Sequence, residues 1–197
     1  MEKALRKALG DNVEIVGIEI DPKSSASHIM DVLLWKYRDY PPGYFNFIWA
    51  SPPCKEFSMA HSVGERNLVL GDALAKRTIE IIEYFSPDVW FLENPHNGRF
   101  ALRKRPYMAK WAKYLNKTHY CMYGTPFKKT ESIYCNQPLE LLECNHTKHD
   151  VYAQSGRSKD GTPGVGNTKK VLYPIPEPLL RALFRQCGVC RPGNCAL

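Results

Sequence analysis

The chain has 197 residues, an apolar fraction of 44% and a formal net charge of +7, with an isoelectric point near 9.0. That size suits one domain with a substantial core, and the positive balance points to a polyanionic partner such as nucleic acid. No apolar run approaches the roughly 18 residues that span a bilayer, the amphipathic start is not a signal peptide, and seven cysteines without an export signal read as reduced thiols in an intracellular compartment.

Residues 1 to about 10 read as a short helix closed by Gly10. The run from Glu14 to Pro22 reads as a strand ending in acids. An acid at such a tip accepts hydrogen bonds from ribose hydroxyls in dinucleotide-binding folds; otherwise it is a solvated strand end. Tyr44 to Trp49 is an apolar run that reads as a buried strand. Pro52 and Pro53 stop it and stiffen its exit, where Cys54 stands. In an open α/β sheet the carboxyl ends of the strands collect ligands and chemistry, so Cys54 is placed to act as a nucleophile. The competing reading is a small buried core thiol.

Lys55 to about Leu70 is polar, with glycines at Gly64 and Gly71, a composition that suits a mobile lid. Ala73 to Phe85 carries Leu74, Ile79, Ile81, Ile82 and Phe85 at helical spacing and ends before Pro87. It reads as the crossover helix between parallel strands. Val89 to Leu92 is a second apolar strand that ends in Glu93, Asn94 and Pro95. Glu93 is then either a carboxylate presented at the same sheet edge as Cys54 or a cap on the following turn.

Between Asn97 and Lys117, Arg99, Arg103, Lys104, Arg105, Lys110, Lys113 and Lys117 are interleaved with Phe100, Tyr107, Trp111 and Tyr114. This is a surface for phosphates and stacked bases, or a helix whose aromatic stripe faces the core. Residues 137–170 read as a loop, rich in Gly, Ser and Lys, that DNA would order. The chain closes on a helix with Pro176 and Pro178 in its first turn. Cys144 and His146 can join Cys187 and Cys190 as a zinc site, since thiolates and imidazoles at short spacing suit tetrahedral zinc; the alternative is unrelated reduced thiols, as for Cys195.

Trp49-Ala50-Ser51-Pro52-Pro53-Cys54 and Phe91-Leu92-Glu93-Asn94-Pro95 together resemble the DNA cytosine-5 methyltransferase family, in its small phage and virus branch. The resemblance covers nearly all of the chain. It implies an α/β, Rossmann-like fold that uses S-adenosylmethionine, with a mostly parallel sheet and helices on both faces. It implies one catalytic domain over 1–197, with 137–170 a short loop region in place of a target-recognition domain. The family opens with a strand and a glycine-rich turn for the methionine half of the cofactor. No counterpart precedes Glu14, which leaves three expectations: an upstream start, a partner chain that supplies the segment, or a lost cofactor site.

The resemblance also implies residue roles. Glu19 would bind ribose, Ile20 would pack on adenine and Asp31 would meet its amino group, with Pro53 a further cofactor contact. Cys54 as thiolate would attack carbon 6 of a cytosine flipped out of duplex DNA. Glu93 would act at nitrogen 3, Asn94 would fix the loop around Cys54, and Lys129 would keep the thiolate populated. Tyr123 to Asn136 resembles the segment after the acid, which ordinarily carries a glutamine and two arginines. Phe127 and Lys128 stand near the glutamine position and Lys129 near the first arginine; the second has no counterpart. Lys55, Ser58, Arg99, Arg103, Lys104, Arg105 and Lys128 are the implied DNA contacts. The chemistry needs no metal. Host cytoplasm or nucleus is the implied location. Two rivals stand beside this reading: an impaired or split homologue that binds DNA or a partner, and cytosine methylation of RNA or a nucleotide.

Overall fold

The computed structural model describes residues 5–6, 13–59, 64–152, 163–164 and 174–189. Of the helix read over residues 1–10, Leu5 and Arg6 are helical and Leu5 is buried; the rest lies outside the described residues, as do 153–162 and 165–173 of the loop region.

The two apolar runs that flank the predicted helix form adjacent strands. β3 (Phe47–Ala50) and β4 (Val89–Pro95) pair in parallel, from Phe47 opposite Val89 to Ala50 opposite Leu92. Parallel neighbours need a crossover, and α1 (Leu68–Phe85) supplies it. It starts at Leu68 and not at Ala73, because the Asn67 side chain accepts the Leu70 N–H at 3.0 Å and caps the helix there. β6 (Thr130–Cys135) runs antiparallel to β4, and β5 (Leu115–His119) antiparallel to β6, in the order β3-β4-β6-β5. Three strands of this sheet therefore point one way and β6 runs against them; with one parallel and two antiparallel pairings the sheet is mixed, not mostly parallel as expected, because β6 lies between β4 and β5 and opposes both.

Residues on a strand alternate between faces, and the two faces bury different helices. Val89, Phe91, Ile133 and Cys135 meet Leu179, Leu180, Leu183 and Phe184 of α2 (Glu177–Gln186). The Phe184 ring lies 5.6 Å from that of Phe47 and 6.3 Å from that of Phe91. Trp90, Leu92 and Tyr134 point the other way, into Ala75, Ile79 and Ile82 of α1 and into Met108 and Trp111. Burial on both sides is why β4 reads as a continuous apolar run and not as an alternation.

Three elements differ from expectation. The strand expected over Glu14 to Pro22 shrinks to β1 (Ile18–Glu19), which pairs in parallel with β2 (His28–Ile29) in a separate two-stranded sheet. A turn ends it: Asp21 accepts the N–H of Ser24 on its carbonyl and that of Lys23 on its carboxylate, both at 2.9 Å. The basic–aromatic stretch is not one helix. It folds as 3-10 segments over Leu102–Lys104 and Pro106–Tyr114, followed directly by β5, which carries Lys117. The polar segment after Cys54 is tied at both described ends, Arg66 donating to the carbonyls of Glu56 at 2.7 Å and Ser58 at 2.9 Å. From the end of β6 to Asp150 the chain has no helix or strand, as the loop reading requires. No helix among the described residues is long and apolar enough to cross a membrane.

Candidate active site

The exit of β3 brings Cys54 to the edge where β4 ends. Pro52 is buried and Pro53 exposed. Beyond them the chain wraps a turn on which the carbonyl of Cys54 accepts the N–H of Phe57 at 3.0 Å and of Ser58 at 2.8 Å. Phe57 seats this turn in the core. Gly71 of α1 lets the helix approach it, since a Cβ there would stand 3.1 Å from the Cβ of Glu56 and 3.2 Å from the ring of Phe57. From the neighbouring strand, Asn94 is fully buried and its Nδ2 donates to the carbonyl of Pro52 at 3.0 Å. The amide thus ties its strand to the turn that carries Cys54.

Glu93, one residue earlier, faces the opposite side of β4 and is buried beside Tyr120, whose hydroxyl donates to Oε1 at 3.4 Å. It is an interior carboxylate and not a turn cap. Two residues at the entry of β6 complete the group. Lys129 precedes the strand and pairs with the Glu131 carboxylate at 2.8 Å, its ammonium 4.7 Å from the centre of the Tyr120 ring. Glu131 is fully buried.

These charges act on one another. Burial pushes the half-buried Cys54 thiol up to about 11; Glu93 and Glu131 push the same way, and Lys129 opposes them. Burial also drives Glu131 well above the ordinary carboxylate range, with Glu93 adding to it and Lys129 resisting. On Lys129 burial disfavours the charge, but Glu131 and Glu93 outweigh it and hold the ammonium above its ordinary value. The centre therefore holds a thiol that keeps its proton at neutral pH, a cation, and two acids within each other's influence. Glu131 and Tyr120 were not foreseen. For Glu131 the sequence signal is the spacing Lys129-Thr130-Glu131, since residues two apart on a strand share a face.

Of the expected cofactor residues, Glu19, Ile20 and Asp31 stand at the carboxyl ends of β1 and β2, while Pro53 follows β3. Glu19 ends β1 and Asp31 follows β2, with the Met30 N–H donating to the Glu19 carbonyl at 2.8 Å. Ile20 is 66% exposed, an apolar side chain held in solvent beside an acid. Asp31 is partly committed, since its Oδ1 accepts the Leu33 N–H at 2.9 Å. An open cleft of about 330 Å³ next to β2 is lined by His28, Met30, Leu34, Trp35, Lys36, Asp39 and Tyr40, and not by Glu19, Ile20 or Asp31. An acid for ribose hydroxyls and exposed apolar surface for a purine fit the adenosine half of S-adenosylmethionine.

The expected DNA contacts separate into two groups. Lys55, Arg99, Lys104 and Lys128 are exposed. Arg103 is turned inward, its Nε donating to the His96 carbonyl at 2.8 Å. Arg105 is held by both oxygens of Asp72, at 2.9 and 2.5 Å, with the Tyr107 hydroxyl on the same carboxylate at 2.8 Å. Arg105 is structural in this arrangement, and Trp111 and Tyr114 pack against Trp90 with ring centres at 4.7 and 5.1 Å. Ser58 and Arg99, with Phe57, Met59, Arg66 and Phe100, line a cleft of about 290 Å³ next to the cysteine turn. Gly98 is needed at its wall: its φ is +121° and a Cβ would stand 2.9 Å from Cγ of Met59.

The zinc grouping is corrected. Cys187 lies against Cys135, sulfur to sulfur 3.7 Å, because α2 carries it onto the β6 face. Cys190 lies outside the described residues. Cys144 and His146 are neighbours, with Cys144 Sγ and His146 Nδ1 3.5 Å apart.

A thiol at one strand end, a carboxylate on the next strand and a half-buried lysine at the entry of β6 act on one another on an α/β scaffold. No family model matches the chain. A frog virus 3 (isolate Goorha) protein named "Probable DNA (cytosine-5)-methyltransferase" is 34% identical over 194 residues, spanning 83% of this chain and 86% of that protein. Among solved structures, the Dnmt2 methyltransferase of S. pombe superposes with a TM-score of 0.49 at 13% identity, covering 72% of this chain and 50% of that one. This chain thus spans about half the length of that structure. By its likeness to the viral protein, the chain belongs to the DNA (cytosine-5)-methyltransferase family.

Proposed function

We propose that the chain transfers a methyl group to carbon 5 of cytosine in double-stranded DNA, through a covalent bond to Cys54. The observation that carries the reading is the common centre of Cys54, Glu93 and Lys129, formed from three strands. The target carbon is stacked inside the duplex, so the base is flipped into the pocket before reaction. Cys54 loses its proton and its sulfur bonds carbon 6, which makes carbon 5 nucleophilic. Glu93 holds a proton at nitrogen 3 and so offsets the charge that develops on the ring. Asn94 keeps the cysteine turn in register by its hydrogen bond to Pro52. Lys129 favours the thiolate. After carbon 5 is methylated it gives up its proton, the bond to sulfur breaks and the thiol is regenerated.

S-adenosylmethionine supplies the methyl group as an electrophile when bound. Glu19, Ile20 and Asp31 would hold its adenosine half, with Pro53 bordering the site. Lys55, Arg99, Lys104 and Lys128 would contact the DNA backbone, and Ser58 would line the approach to the pocket.

The test is direct. The chain is incubated with unmethylated duplex DNA and S-adenosylmethionine beside Cys54→Ala, and 5-methylcytosine is quantified by mass spectrometry. The expected result is product from the unaltered chain alone, with DNA binding retained in the variant. Equal product from the variant, or none from either, overturns the reading.

A further inference from the structure

Four metal-binding side chains converge outside the cysteine pocket, where the chain turns from β5 toward β6. Cys121 lies in the 3-10 turn Tyr120–Tyr123. Cys144, His146 and His149 stand on the irregular segment after β6. One sulfur or ring nitrogen from each lies within 4.8 Å of all the others. Cys144 Sγ is 3.5 Å from His146 Nδ1 and 3.3 Å from His149 Nε2. Zinc bonds of about 2.3 Å to sulfur and about 2.0–2.1 Å to nitrogen put tetrahedral S and N ligands about 3.5 Å apart. The two Cys144–histidine pairs already stand at that spacing, and the other pairs lie within 4.8 Å.

We propose that Cys121, Cys144, His146 and His149 bind one zinc ion as a structural Cys2His2 site. Two thiolates balance the charge of the ion, and a closed set of two sulfurs and two nitrogens selects zinc over harder cations. The surroundings orient the ligands: the Cys144 N–H donates to His119 Nδ1 at 3.0 Å, and the His146 and His149 rings lie 5.6 Å apart, near edge-on. Cys121, Cys144 and His149 are half-buried while His146 is exposed, which leaves a path for the metal.

The position gives the ion a task. The segment from the end of β6 to Asp150 has no helix or strand. Its first part is pinned to β5 and to the following 3-10 turn: Thr118 Oγ1 donates to the Leu142 carbonyl at 2.9 Å, Tyr123 OH accepts the Leu142 N–H at 3.0 Å, and Lys117 pairs with Glu143 at 2.5 Å. Zinc would extend that clamp through His149 to Val151, which bridges to Phe127 next to Lys128 and Lys129. It would fix the irregular segment that follows β6.

The experiment measures metal on the full chain, purified without a histidine tag. Elemental analysis should find about one zinc per chain. Replacement by cobalt should give the intense visible bands of a tetrahedral ion with thiolate-to-cobalt charge transfer. Cys121→Ser and His149→Ala should each lose most of the metal, and Cys187→Ser should keep it. The cobalt spectrum of the unaltered chain decides the matter even where a variant fails to fold. Three results would overturn the site: no zinc in the unaltered chain together with a weak octahedral cobalt spectrum, a Cys121–Cys144 disulfide in place of metal, or full zinc retained in both ligand variants. None of these readouts depends on methyl transfer.

Discussion

Asn94 Nδ2 donates to the carbonyl of Pro52 at 3.0 Å, across a sequence separation of 42 residues. The strand end that carries the acid thereby grips the strand exit that carries the thiol. Asn94→Ala removes a fully buried donor and leaves the Pro52 carbonyl unpaired, at a cost of about 1–3 kcal/mol. Urea unfolding should show that loss. Iodoacetamide should react faster with Cys54 in the variant, because a loosened turn is less desolvated. Unchanged stability and unchanged alkylation would remove Asn94 from this role.

Cys54 is ionised at roughly one part in ten thousand at neutral pH if its thiol titrates near 11. Alkylation of the free enzyme should therefore climb about tenfold per pH unit between 7 and 10. Lys129→Met removes the cation that opposes the shift, and should slow alkylation at every pH in that range. A flat profile, or a faster variant, would contradict the electrostatics of the site.

His96 is held neutral. Burial, followed by the positive charges of Arg103 and Lys117, pushes it down to about 4, and its Nδ1 lies 2.9 Å from the Ser132 hydroxyl. An unfolded histidine titrates near 6.5, so the unfolded state takes up the proton first as pH falls. The stabilisation is complete above about 6.5 and is lost progressively toward about 4. Urea midpoints should fall between pH 7.5 and pH 5, and His96→Asn should flatten that dependence.

The exposed and the committed cations should separate in DNA binding. Lys104→Ala and Lys128→Ala should each lower the salt dependence of affinity by about one released counterion. Arg105→Ala should leave that slope alone and cost about 1–3 kcal/mol of stability, since its fork is spent on Asp72. A reduced slope in Arg105→Ala would return that residue to the DNA face.

Much of the scaffold was legible because both central strands announce themselves. Phe47 to Trp49 and Val89 to Leu92 are apolar without interruption, and α1 between them keeps helical spacing through Ile79, Ile82 and Phe85. Cys54 and Glu93 follow from where such strands end. The 3-10 path of Pro106–Tyr114 was not legible, because the spacing of Trp111 and Tyr114 fits several helical periods. β1 was overestimated because its length is set by the turn at Asp21 and by what β2 can pair with, and local composition reports neither. Glu131 escaped because a buried acid is intelligible only beside its partner, and the pairing with Lys129 becomes visible only once both flank the same pocket. Cys121 escaped for the same reason: its companions lie more than twenty residues downstream.

β6 is the one reversed strand, and the reversal brings its first residues, not its last, to the end of β4. The charge environment of Cys54 is thus completed by Lys129 and Glu131, which leave the ribosome long after the thiol. A nascent chain ending before β6 would already carry Cys54 and Glu93, but with neither the cation nor the second acid beside them. The reactivity of a single thiol therefore reports whether β6 has joined the sheet.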